Sequence, residues 1–376
     1  MVEDFKWPQV WNSNIAVDHM LPGGILGTVE FLYGKDINSI YVRNANLSNP
    51  ARYLADGRPY FTDATGNNRL NTFVPVDGDT VGFFGGVYVI DNSDEGYHYS
   101  GTIQLRKQFD FGLHTGLAYT YLEAKSLLKS TEIASVLFAE NPVQGDPNSP
   151  ELSYSEFGTR HRITGNAIYS HVWNENFESH FGFFFEVAEG NRFAGAGGNR
   201  YSFVYAGDVN GDGQAGNDLI YIPASQSEIT LIPYTDENGN TVSADEQWAD
   251  LNAFIEQDDY LKEHRGEIAE RFGAVNPWWW NIDFRFMQDF AFLLSGAKHT
   301  FQLSFDILNV PNLLSSEWGV RKIANSAATS PLELTGFDTS GEPTFNFKGT
   351  ATETYVDDPG TNSRWQIQVG LRYFFQ

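Results

Sequence analysis

Apolar and polar residues alternate with a period of two along much of the chain. In "RWQIQVGLRYFFQ", Trp365, Ile367, Val369, Leu371, Tyr373 and Phe375 share one face, and Gln366, Gln368, Gly370 and Arg372 share the other. The same pattern runs through "WNSNIAVDHM", "GILGTVEFLYG", "YHYSGTIQLRKQF", "FGLHTGLAYTYLE", "FESHFGFFFEV", "WNIDFRF" and "TFQLSFDI". Period-2 alternation predicts strands with one apolar and one polar face. Nine strands are expected, over roughly 10–20, 24–44, 83–109, 111–124, 158–172, 177–189, 277–291, 297–309 and 363–375.

The connections are of two kinds. Short turns are expected at 21–24, 110–112, 174–176 and 294–296, and long polar stretches over roughly 45–80, 125–156, 190–276 and 310–362. One long stretch predicts a helix: in "SADEQWADLNAFIEQDDYL", Ser243 and Glu246 have capping-box spacing, and Trp248, Leu251 and Ile255 repeat on one side.

Tight turns at one end and long loops at the other are the plan of an all-β, antiparallel transmembrane outer-membrane barrel, with extracellular loops of which one contains a helix. A soluble sandwich is the competing explanation of the alternation. Strand length favours lipid, because the runs reach the roughly 9–11 residues that a tilted strand needs to span a bilayer. Charge placement agrees, since Arg106, Arg162, Asp283, Arg285, Asp306 and Arg372 fall on the polar face, where they would line a lumen or contact a plug. Trp278, Trp279, Trp280, Tyr373 and Phe375, near strand ends, are expected in the aromatic girdles. Single-chain bacterial barrels have even strand numbers, so nine strands beginning downward cannot close alone, and further strands are expected before residue 1.

Composition narrows the function. A formal net charge of -24 leaves no basic stripe for nucleic acid. With no cysteine, disulfide and thiolate chemistry are excluded. No apolar run is long enough for a transmembrane helix, and "MVEDFKWPQV" does not read as a signal peptide. The sequence contains neither HExxH nor GxSxG, and His114 and His180 fall on polar strand faces, so an enzyme is not expected.

The sharpest local motif is "DVNGDGQAGND". Asp208, Asn210 and Asp212 occupy positions 1, 3 and 5 of a calcium loop, followed by Gly213 at 6 and Gln214 at 7. Position 12 is Leu219 rather than Glu, and Asp218 at position 11 is the candidate replacement. The same residues also fit an ion-free Asx-turn loop, so Ca2+ is the one cofactor to weigh and none is required. The glycine-rich "GAGGNR" at 195–200 reads as a loop rather than a phosphate cradle.

The stretches "FKWPQVWNSNIAVDHMLPGGILGTVEFLYGKDINSIYVRNANL", "GDVNGDGQAGNDLIYIP", "NPWWWNIDFRF" and "FDILNVPNLLSSEWG" resemble the C-terminal barrel half of TonB-dependent outer-membrane receptors, nearest the Oar-like group. That resemblance spans essentially the whole chain. It implies the last nine or so strands of a 22-stranded, plugged barrel in the outer membrane of a Gram-negative bacterium. Its implied partners are outer-membrane lipid, an N-terminal plug and the remaining strands, TonB through that N-terminal part, and the barrel-assembly machinery; a surface lipoprotein is the partner that an adhesive role for the loops would add. The implied activity is binding and uptake of a large nutrient or peptide. Two departures stand out: the plug and TonB box are outside this sequence, and Gln376 follows Phe375 where the family ends on an aromatic residue. A structural or adhesive outer-membrane protein and a passive porin-like channel are the alternatives.

Overall fold

The computed structural model describes residues 1–62, 74–76, 79–81, 86–129, 133–156, 158–192, 202–350 and 352–375. The "GAGGNR" stretch and Gln376 lie outside these. Nine strands form one sheet in sequence order: β1 (Gln9–Leu21), β2 (Ile25–Asn44), β3 (Tyr97–Gln108), β4 (Leu113–Ser126), β5 (His161–Asn174), β6 (Phe177–Ala188), β7 (Trp279–Leu294), β8 (Ala297–Leu308) and β9 (Gln366–Phe375). Each is antiparallel to the next. Among the described residues β1 and β9 do not pair with each other, so the sheet is an open wall.

Alternation fixes the register, because a slip of one residue would carry every apolar group to the other face. Across β3 to β7, Ile103, Tyr119, Ile163, Val187 and Trp280 stand opposite one another in turn. Two rows lower, Phe183 faces Phe284, which faces Ile307, which faces Ile367. Cross-strand rings reinforce this face: Phe181–Phe286 centroids are 5.2 Å apart and Phe183–Phe284 5.0 Å. Such pairs contribute about 0.5–1.5 kcal/mol each beyond the area they bury.

The turns at the short end follow from local chemistry. Between β7 and β8, Ser295 (φ 53°) and Gly296 (φ 84°) both adopt positive φ, the two-residue hairpin geometry that matches strand twist. Between β5 and β6, Asn174 Oδ1 accepts from the Asn176 N–H at 2.9 Å, closing an Asx-turn.

The expected strand over 83–109 is not continuous. A short strand, Tyr88–Ser93, pairs with the upper part of β2, and β3 then pairs with the lower part. Between them, Gly96 at φ 113° takes a conformation that residues with a side chain rarely adopt, and its carbonyl accepts from the Asp36 N–H at 3.1 Å.

The wall has almost no hydrophobic core of its own. The main core lies in the loops at the long-loop end, where Leu54 and Tyr60, Phe203 to Ile222, Leu251 to Ala274, and Ala324 to Phe347 pack together. Helix Ala244–Gln257 contributes Leu251, Phe254 and Ile255, and its Ser243–Glu246 capping box forms as the spacing predicts. Trp248 and Phe254 pack into this core. Buried Gln247 joins the helix to a small sheet, donating to Ile232 O at 2.8 Å and accepting from the Phe347 N–H at 3.1 Å.

Candidate functional site

Two regions carry concentrated polar chemistry: the polar face of the wall and the cap formed by the loops. In an outer-membrane barrel the apolar face meets lipid and the polar face meets the wet interior.

On the polar face, Arg162 Nε lies 2.6 Å from Glu186 Oε1. Arg285 grips Asp306 with two nitrogens, Nη2 to Oδ2 being 3.1 Å. Asp283 accepts from Asn281 Nδ2 at 2.9 Å and from the Asn309 N–H at 2.8 Å. His180 stands between Ser170, at 2.8 Å, and Asp289, at 3.7 Å, and Asp289 accepts from Gln302 at 2.9 Å. Arg106 stands opposite Leu26 and Gly116, and Arg372 opposite Gln302. Neither has an ion-pair partner among the described residues. All six charged residues picked from alternation therefore share one face, and four of them are joined in contacts. Alternation also puts Glu186 and Gln302 on this face, though they were not among the six candidates, and sequence reasoning missed Asp289, which the same pattern marks. A recess of about 350 Å³ lies beside the Arg285–Asp306 pair, lined mainly by apolar residues, Ile168, Phe183, Phe184, Phe284 and Leu308, together with Asn166, Gly182 and Asp283.

The aromatic residues separate by face. Trp280 and Tyr373 lie on the apolar face, and Trp278 stacks on His161 there at 5.9 Å. Phe375, 73% exposed, sits beside Tyr373 at the short-turn end. Trp279 does not belong with them. It pairs with Ala188 on the polar face, and the Arg321 guanidinium lies 3.5 Å above its ring. Adjacent strand residues point to opposite faces, so three consecutive tryptophans cannot all enter one girdle. Trp280 and Phe290 are ten residues apart on β7. That is about 34 Å along the strand, and about 24 Å of height at a 45° tilt, close to the thickness of an outer-membrane apolar band.

In the cap, buried cations hold loops to one another. Arg58, fully buried, contacts Asp56 at 2.6 Å, donates to Leu219 O at 2.8 Å and lies 3.8 Å from Asp218. Arg271 is buried among the carbonyls of Ser126, Leu127 and Ser153, and burial pushes its guanidinium down to about 10. These contacts bridge distant segments, and no local pattern announces them. A cavity of about 260 Å³ between three loops is lined by Asp56, Tyr205, Tyr221, Glu228, Asp338 and Glu342.

The "DVNGDGQAGND" loop lies inside the cap. Asn210, Asp212 and Asp218 are buried. Burial raises the Asp212 carboxyl well above the ordinary range and Asp218 to about 7. Gln214 is partly exposed, and its N–H donates to Asp212 Oδ1 at 2.7 Å. Asp208 accepts from the N–H groups of Asp212 and Gly213, at 3.1 and 2.9 Å. No three carboxylate or imidazole groups converge on one point among the described residues.

Comparison with known proteins agrees with this architecture. No curated protein and no solved structure matches the chain. A family model does: residues 1–330 match the outer membrane beta barrel domain. With an antiparallel wall, one apolar and one polar face, and no helix long and apolar enough to cross a membrane among the described residues, the chain belongs to the outer membrane beta barrel domain family and resides in the outer membrane.

Proposed function

We propose that this chain forms part of the wall and the external cap of a TonB-dependent receptor, which binds a large nutrient or peptide and takes it up. The observation that carries this reading is the cap: loops from three separate hairpins share one core at a single end of a polar-lined wall. A passive pore needs no such roof, whereas a receptor needs a shaped surface ahead of its lumen. The resemblance of the wall and loop stretches to Oar-like receptors supports the same reading. In it, Arg106 and Arg372, without ion-pair partners on the polar face, meet a plug supplied by the N-terminal part, which also engages TonB.

The test is conductance of the native protein, purified from outer membranes and placed in a planar bilayer in potassium chloride. A plugged receptor shows no steady current until its plug is unfolded by urea. A large ohmic current without urea overturns the receptor reading and selects a passive channel. The cap's independent core also fits an adhesive role. Loss of cell contact with unimpaired nutrient uptake, after deleting 203–274, would select that role.

A further inference from the structure

The Asp208–Asp218 loop is the feature that neither wall nor cavity explains. Its acceptors follow the order of a calcium loop: Asp208 holds the N–H groups of positions 5 and 6, Asn210 Oδ1 accepts from Asp212 N–H at 2.9 Å, and Asp212 Oδ1 accepts from Gln214 N–H. A closed Asx-turn would make the same bonds, so they do not decide the matter. Two other observations do.

The first is charge. Asp212 is 1% exposed and Asp218 has no exposed surface. The cation within ion-pair reach is Arg58, 3.8 Å from Asp218 and already committed to Asp56 at 2.6 Å. Asp212 has no cation beside it among the described residues. A buried carboxylate without a counter-charge is costly, and proteins resolve that cost by protonating it, by pairing it or by metal coordination.

The second is an oxygen left over. Asn217 is fully buried, and its Nδ2 donates to Asp212 Oδ2 at 3.1 Å, which sets the amide head against the loop. Its Oδ1 has no donor. Buried oxygens are ordinarily satisfied, and unsatisfied ones beside carboxylates are ligands for a hard cation.

We propose that this loop binds one Ca2+ through Asp208, Asn210, Asp212 and the Gln214 carbonyl, with Asn217 supplying an oxygen that Leu219 cannot, while Asp218 stays with Arg58 and the backbone N–H groups of Val209 and Asn210. The donor set is mixed, with two carboxylates beside amide and backbone oxygens, which agrees with the lack of a converging trio of acids among the described residues. Occupancy ties three loops together. Phe61 N–H donates to Asn210 O at 2.7 Å, Asn210 Nδ2 donates to Gly145 O at 3.0 Å, and Val143 N–H donates to Asn217 O at 2.9 Å. Calcium thus orders the cap.

The experiment uses the full native protein from outer membranes, stripped with chelator and dialysed against radioactive calcium. One ion per chain is expected, with a dissociation constant on the order of 10⁻⁴–10⁻³ M or tighter and no competition from equal magnesium. Chelation should raise the rate of protease cleavage within 203–222 at least tenfold, and calcium should reverse this. Asp212→Asn should weaken binding at least tenfold, whereas Gln214→Ala, which keeps its carbonyl, should bind normally. If Asp212→Asn fails to form the cap, the wild-type stoichiometry and Gln214→Ala decide. No calcium bound to correctly folded wild-type protein at about 10 mM, above the weakest extracellular sites, overturns the proposal.

Discussion

Gln247 shows how single polar side chains govern the cap. It has no exposed surface, and its amide serves Ile232 O, the Phe347 N–H and Asn346. Gln247→Ala leaves buried backbone groups without partners, each costing about 1–3 kcal/mol. Faster protease cleavage within 244–257 is expected, with no change in the heat-resistant mobility of the folded barrel on gels. Arg58→Met is expected to cost more, about 3–5 kcal/mol, because Asp218 is left buried without its cation. Thermal denaturation followed by cleavage at Leu54–Tyr60 measures it. Neither residue stands out in the sequence, since the partners through which they join separate loops, Asn346 for Gln247 and Leu219 for Arg58, lie 99 and 161 positions away. The Asp208 motif was legible for the opposite reason, because its donors lie within one turn of chain.

The wall strands were legible because lipid on one side and water on the other impose a strict period on each of them. What alternation could not resolve were the places where a strand answers to something else. The span 83–109 breaks at Gly96, and β2 runs past the membrane to pair with Tyr88–Ser93. Trp279 is the same lesson, since composition groups it with its neighbours while pleating turns it away. Two substitutions test the assignment of faces. Phe284→Arg, between Phe183 and Ile307 on the apolar face, should destabilise the barrel in lipid vesicles by about 2–4 kcal/mol in urea titrations. Ser100→Arg, on the polar face, should change it by about 0.5 kcal/mol or less. Gly165 tests packing within the apolar face. A Cβ there would meet the Phe185 ring at 2.2 Å, so Gly165→Ala should displace the ring and cost about 1–3 kcal/mol in the same titration.

Across the molecule, the cap cannot form piecemeal, because its core draws on loops 45–62, 202–276 and 324–347 together. Replacing 332–347 by a short flexible linker should leave the wall inserted yet expose Leu54–Tyr60 to protease, which limited digestion of intact cells reads directly. The same arrangement bears on the wall itself. β2 and β8 are six positions apart in the sheet, so their upper ends are separated by about 29 Å measured along its arc. Their loops nevertheless touch: the Ala55 N–H donates to Glu342 at 3.0 Å, and Arg52 reaches Gly341 O. The loops are strung across the wall as a bowstring is strung across a bow. Those contacts join parts of the wall that no direct strand pairing joins, so loosening the knot of loops is expected to free the two ends of the bow to move apart.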